Sequence, residues 1–209
     1  EDARSALSLI VGRQTSHLDE EGILRACIET VAENTSDGVV APLFYLFLGG
    51  PVLAILYKTL NTLDSMIGYR DDRYRELGWA AARMDDLANL VPARLTALLM
   101  AIASFFLGLK GFKALKILRR DARLPDSPNA GYPEAAAAGA LGIQLGGPAV
   151  YFGEVTDKPR LGDVDVSISV RSYRQMIRLM YLTSFLALGL GLLVEWLLGT
   201  SNILPVQFP

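Results

Sequence analysis

The run RMDDLANLVPAR, Arg83 to Arg94, sets two carboxylates and an amide where a helix would bring them together. Asp85 and Asn89 share a face at i and i+4, Asp86 and Asn89 are three apart, and Arg83 lies one turn before Asp86. Oxygen donors of this kind suit Mg²⁺ carrying a nucleotide or diphosphate, because Mg²⁺ takes one or two carboxylates and leaves its other positions to phosphate and water. Asp85, Asp86 and Asn89 are therefore the metal candidates. The same spacing also fits a solvated helix start in which Arg83 pairs with Asp86, an exposed contact worth roughly a few tenths of a kcal/mol.

Three other groupings carry polar chemistry. On a helix expected from Glu20 to about Asn34, Arg25, Glu29 and Glu33 recur every four residues, and Asn34 and Asp37 continue the stripe. Arg25 with Glu29 reads as an ion pair, but Glu29 and Glu33 repel at this spacing, so a cation is expected to face them. Beside a membrane the stripe becomes a candidate metal or ammonium site. After Tyr57, the three-residue steps from Lys58 to Asn61 to Asp64 put a donor, an amide and a carboxylate on one helical face. Ser127 and Asn129, with the amides around them, form a candidate anion-binding turn. Cys27 and His17 are the only residues of their types, which excludes an internal disulfide or a cysteine zinc site.

The elements that must position these groups are read from composition and periodicity. The chain is 51% hydrophobic with mean hydropathy +0.31, yet 20% charged, a mixture that suits membrane spans joined by functional polar loops. A net charge of −2 and the lack of a basic, aromatic array exclude a nucleic-acid partner. Asp2 to Val11 is expected as a short helix, followed by a loop in which Ser16 or Asp19 caps the next helix. Apolar segments at 39–57, 90–109 and 181–199 each meet the length needed for a bilayer core of ~30 Å. The first is interrupted by Gly49, Gly50 and Pro51, so it either crosses or forms a re-entrant pair of half-helices. Pro92 is expected to kink the second, and Arg94 lies near its end where it can snorkel. Gly68 to Gly78 reads as a solvated segment. Lys110 to Arg123 is strongly basic, which the positive-inside rule places on the cytoplasmic side, as an interfacial helix attracted to anionic lipid. A buried, Ala-rich helix is expected at 133–145, and a small hairpin around Asp157-Lys158-Pro159. The fold class is thus all-α: one polytopic integral membrane unit over 1–209, with three to four membrane-length segments, polar loops and one small β-hairpin. A start at Glu1, with no signal pattern, is expected of a processed or truncated chain.

Four strings, AENTSDGVVAPLFY (Ala32 to Tyr45), YKTLNTLDSMIGY (Tyr57 to Tyr69), GWAAARMDDLANLVPARLTA (Gly78 to Ala97) and SPNAGYPEAAAAGALGIQLGG (Ser127 to Gly147), closely resemble the cobalamin-biosynthesis CobD/CbiB family, adenosylcobinamide-phosphate synthase. They agree in order and spacing, and the resemblance runs from about Ser8 to Gly199. It implies a multi-pass enzyme of the inner (cytoplasmic) membrane that uses ATP and Mg²⁺ to join adenosylcobyric acid, a corrinoid, to (R)-1-aminopropan-2-ol phosphate or threonine phosphate. Other membrane-associated enzymes of the pathway are the implied partners, beside the lipid bilayer. Family members carry further apolar helix before the position of Glu1, so part of the corrinoid site is expected there.

Onto that reaction the residues map by chemistry. A propionate activated by ATP as an acyl phosphate is displaced by the amine, which needs metal and cations around phosphate and a carboxylate to accept the ammonium proton. Asp85, Asp86 and Asn89 are assigned to Mg²⁺ and nucleotide; Lys58, Arg83 and Arg94 to phosphates; Glu29 or Glu33 to the ammonium; Asn61, Asp64, Ser127 and Asn129 stand behind them. If 39–57 and 90–109 both cross, the Asp85 and Glu29/Glu33 clusters lie on opposite sides, so a broken 39–57 segment is preferred. A transporter for a cation or amine, and a Mg²⁺-dependent transferase acting on a diphosphate, are the alternatives.

Overall fold

A computed structural model describes residues 2–67, 75–151 and 153–199. The solvated segment read at Gly68 to Gly78 lies outside them as far as residue 74. The elements are α1 (Asp2–Ser8), α2 (Glu20–Thr35), α3 (Ala41–Ile67), α4 (Arg75–Phe106), α5 (Gly111–Asp121), α6 (Gly131–Leu141), β1 (Leu145–Tyr151), β2 (Glu154–Leu161) and α7 (Val170–Leu198). One π turn, Ser36–Val40, joins α2 to α3. The Asp19 carboxylate caps α2 by accepting from Gly22 N at 2.8 Å, and Ser169 caps α7.

Three helical stretches, 20–67, 76–106 and Val170–Leu198, are long and apolar enough to cross a membrane. Only 17% of the apolar window is buried in the first and the third, so Phe185, Leu192 and Trp196 on α7 face outward, where lipid rather than water suits them. α7 runs beside α2 and the start of α3 in the same direction, with Val40 packed by Ala187 and Phe47 against Gly191. At 11 residues α6 is too short to span and is instead buried, Ala135 to Ala138 being wholly inaccessible. It approaches α5 so closely that a Cβ on Gly139 would lie 2.7 Å from the Ala114 Cα. α6 stops at Leu141, short of the residue 145 expected, because Gly142 takes a left-handed cap conformation (φ 68). β1 and β2 are antiparallel, and their connection lies between Tyr151 and Glu154. Asp157-Lys158-Pro159, expected at the turn, sits inside β2 on the exposed edge, where proline's missing donor costs little.

The decisive departure from a straight helix is at Gly49 and Gly50. Gly50 has φ 76 and ψ −171, a conformation that essentially only glycine holds without strain. In a straight helix Tyr45 and Tyr57 would be ~18 Å apart along the axis. Their rings are stacked with centroids 5.1 Å apart. The Tyr57 hydroxyl also lies 3.3 Å from the carbonyl oxygen of Asp37, twenty residues earlier. The chain therefore doubles back at Gly49-Gly50-Pro51, and 39–57 is two short limbs rather than one straight span.

The first limb is locked to α4 through a proline. α4 continues through Pro92, which has no N–H for the carbonyl of Ala88, its i−4 partner. The Tyr45 hydroxyl donates to that carbonyl at 2.8 Å and takes the place of the missing backbone donor. Tyr45→Phe is expected to destabilise the protein by about 1–3 kcal/mol, the cost of an unsatisfied buried acceptor. In a Pro92→Ala background the restored N–H competes for Ala88, and the cost should fall by at least half. A double-mutant cycle of unfolding in SDS-containing micelles reads this, and equal costs in both backgrounds would break the link.

Candidate functional site

Where the limbs fold back, polar residues of α2 and α3 face one cavity. Glu33 and Asp37, from α2 and the π turn, line one cavity of about 740 Å³ with Asn61 and Asp64 of α3. Arg13, from the loop before α2, and Tyr151 and Lys158, from the hairpin, line it too. The cavity thus gathers carboxylates from two helices and cations from two further segments.

Behind it, Glu29 is buried, 3% exposed, and fully engaged. It forms a short ion pair with Arg13 and accepts from Gly146 N at 2.8 Å through its other oxygen. The cation expected to face the acidic stripe is therefore Arg13, whereas Arg25 pairs with Glu21 at 2.6 Å instead of Glu29. Glu134, at the start of α6, feels the same acidic group: burial first, then the Glu29 and Glu33 charges, push its carboxyl up to about 8. Burial acts to lower Lys158, but its contact with Tyr151 and the charge of Glu134 outweigh that and hold it above the usual lysine range.

A second network forms the floor. Tyr57 Oη donates to Asn89 Oδ1 at 2.9 Å, and Asn89 Nδ2 donates to Asp85 Oδ2 at 3.0 Å. Asp85 Oδ1 accepts from Asn61 Nδ2 at 3.2 Å, and Lys58 Nζ donates to Asn61 Oδ1 at 2.7 Å. Each amide has one end fixed by a donor, so both present N–H to Asp85. Asn89 is buried (1% exposed) and committed at both ends, which leaves Asp85 as the hub of this floor.

The other expected residues lie apart from the cavity. Asp86 pairs with Arg83 at 3.4 Å in a partly exposed contact and makes no bond to the Asp85 network. Arg94 donates to Leu90 O at 2.6 Å and to Asn129 Oδ1 at 3.4 Å, and stacks over Tyr132 at 4.2 Å. Asn129 Nδ2 donates to Asp86 O at 2.8 Å, while Ser127 Oγ accepts from the amides of Asn129 and Ala130. The amides proposed for an anion are thus used within the turn. Among the described residues no three carboxylate, His or Cys side chains come together as a metal cage. Mg²⁺ arriving with a nucleotide needs only one or two carboxylates. Asp64, open on the cavity, and Asp85, one hydrogen bond behind Asn61, fit that requirement.

Sequence reading missed Arg13, Lys158, Tyr151 and Glu134 as members of the site. Lys158 is more than one hundred residues from its neighbours Glu33 and Asp37, beyond the reach of any periodicity. For Glu134, its place inside the YPEAAAA string was a usable signal.

Helices long and apolar enough to cross a membrane, one stretch of which lines an open cavity of mixed charge, define a helical membrane protein with a polar site. The chain belongs to the CobD/CbiB family, whose pattern, described as CobD/Cbib protein, it matches over residues 1–180. It is 56% identical over 180 residues to the cobalamin biosynthesis protein CobD of Geobacter metallireducens, covering 86% of this chain and 57% of the relative. It is 58% identical over 182 residues to CobD of Pelobacter propionicus (87% and 56%), and 54% identical over 201 residues to the cobalamin biosynthesis protein CbiB of Salmonella arizonae (96% and 63%). The chain thus spans less than two thirds of the length of these relatives. No solved structure matches it.

The elevated Glu134 sets a pH test. Its folded value of about 8 exceeds the ordinary 4.5, so the folded state holds this proton more tightly than the unfolded chain. That contribution is complete below pH 4.5 and is lost as pH rises through 8. Glu134→Gln, which keeps the neutral shape, should match wild type at pH 4.5 and exceed its Tm by on the order of 2–4 °C at pH 9. Thermal melts in detergent across this range check it, and a pH-independent difference would contradict the assignment.

Proposed function

We propose that the cavity is where an amine nucleophile is held and deprotonated during ATP-dependent amide formation, joining adenosylcobyric acid to (R)-1-aminopropan-2-ol phosphate or threonine phosphate at the cytoplasmic membrane. The observation that carries this reading is the cavity's mixed lining, carboxylates from α2 and α3 beside Arg13 and Lys158. A small molecule with an ammonium at one end and a phosphate at the other is complementary to it. Membership in a family whose relatives are cobalamin biosynthesis proteins supplies the pathway.

In this reading Lys158 is the principal phosphate ligand, because Arg13 is already tied to Glu29. Glu33 and Asp37 receive the ammonium, and Glu33, on the open side, accepts the proton that frees the amine lone pair. The corrinoid propionate takes the γ-phosphoryl group of ATP, ADP leaves, and the amine nitrogen then displaces phosphate from the acyl carbon. Bound Mg²⁺ would neutralise phosphate charge, held by Asp64 and Asp85. Asn61 and Asn89 orient Asp85, and Lys58 fixes Asn61 in the donating orientation. Asp86, Arg83, Arg94 and the Ser127 to Asn129 turn act on the far face of α4, as support for the floor or as contacts for the larger corrinoid.

Mass spectrometry of products tests the reaction. Detergent-purified protein with Mg·ATP, adenosylcobyric acid and aminopropanol phosphate should yield the condensed corrinoid and an equal amount of ADP, with a full-length relative run in parallel. Unchanged corrinoid and intact ATP in both samples would contradict it. Lys158→Gln should raise KM for the aminoalcohol phosphate about 10-fold or more, as expected for a lost charged hydrogen bond, with a smaller change in kcat.

A further inference from the structure

The basic segment after α4 has two faces. On one, Lys110, Lys113 and Arg120 are neutralised: Lys110 and Lys113 bond Asp165 at 2.7 and 2.5 Å, and Arg120 bonds Asp121 and Asp163 at 2.5 and 2.8 Å. These contacts pull Asp165 down to about 2. Asp121 is also tied to the hairpin end by Gly162 N at 2.8 Å. This face fastens α5 to the segment leading into α7.

The other face carries Phe112, Lys116 and Arg119, at steps of four and three residues, and Arg123 follows in the turn just after the helix ends at Asp121. All four are exposed, Phe112 at 82%. Lys116, Arg119 and Arg123 make no ion pair among the described residues. Like charges at these spacings repel, so the face is under-compensated as it stands. Its location identifies what compensates it. Phe112 packs edge-on against Phe105 at 4.9 Å, and Phe105 and Phe106, 43% and 74% exposed, end the outward face of the membrane-length helix α4. The cationic row therefore begins at the rim of the surface that faces lipid tails, at the depth where headgroup phosphates lie.

We propose that Lys116, Arg119 and Arg123, with Phe112 inserted among acyl chains, form a docking face for the headgroups of anionic phospholipids. The row supplies charge complementarity, the aromatic ring supplies anchoring, and the Asp163/Asp165 contacts hold the helix in the orientation that presents both. The proposal does not depend on the reaction assigned to the cavity.

The test is native mass spectrometry of the detergent-purified chain mixed with equimolar phosphatidylglycerol and phosphatidylcholine. Wild type should retain phosphatidylglycerol several-fold over phosphatidylcholine, and 0.5 M NaCl should reduce that preference. K116Q/R119Q/R123Q should lose the preference about 10-fold while melting at the wild-type temperature without lipid, and Phe112→Ala should weaken retention of both lipids. Equal retention of the two lipids by wild type, a preference indifferent to salt, or an unchanged preference in the triple variant would overturn the proposal. So would stabilisation by inorganic phosphate equal to that by phosphatidylglycerol. If the triple variant does not fold, Arg119→Gln and the salt dependence of wild type decide.

Discussion

The conformation of Gly50 governs the architecture of the site. With φ 76 and ψ −171 it turns the chain back, and without that turn Tyr57 would lie ~30 Å from Asp37 along one continuous helix. Asn61 and Asp64 would be farther still from Glu33, and no shared cavity would exist. Breaking a helix among apolar neighbours frees backbone groups that lipid cannot satisfy. On α4 the break at Pro92 is answered from the first limb: Pro92 leaves the Ala88 carbonyl without its backbone donor, and the Tyr45 hydroxyl fills that place. Tyr57, on the returning limb, connects to Asn89 and to the Asp37 carbonyl, so a single stacked tyrosine pair joins both limbs of α3 to the π turn and to α4.

Charge is distributed by the same logic. Where a charge is enclosed it has a rigid partner, as Glu29 has Arg13 and Gly146 N, and Asp121 has Arg120 and Gly162 N. The carboxylates lining the cavity, Glu33, Asp37 and Asp64, form no ion pair among the described residues and face the open cavity. Enclosed but unpaired charges carry a large desolvation cost, so carboxylates left open on a polar cavity are placed to meet something that arrives. Glu134, its carboxyl pushed up to about 8, adds no further negative charge near Glu29 and Glu33 at neutral pH.

Much of the scaffold was legible because local chemistry decides it. Asp19, one of the two caps offered, marks the start of α2, the Gly49-Gly50-Pro51 interruption marks the reversal, and the apolar runs 90–109 and 181–199 mark the later membrane-length helices. The repulsion between Glu29 and Glu33 correctly demanded a cation. What sequence could not supply was its identity, since Arg13 and Lys158 arrive from a loop and a strand that only the tertiary fold brings together. Spacing also treated Asp85 and Asp86 alike, whereas consecutive helical residues point about 100° apart, and only Asp85 meets the floor. The hairpin turn was misplaced because Asp157-Lys158-Pro159 has strong turn chemistry yet lies on an exposed edge where proline is tolerated.

The central claim is that the chain doubles back so that α2 and the second limb of α3 share one cavity. Pulsed dipolar spectroscopy between spin labels at Asn34 and Ser65, with Cys27 replaced by serine, tests it most directly. Both positions line the cavity. A reversed chain predicts a narrow distance distribution well under half of the ~46 Å that 31 residues of straight helix would give. A distribution centred near that longer value would contradict the account.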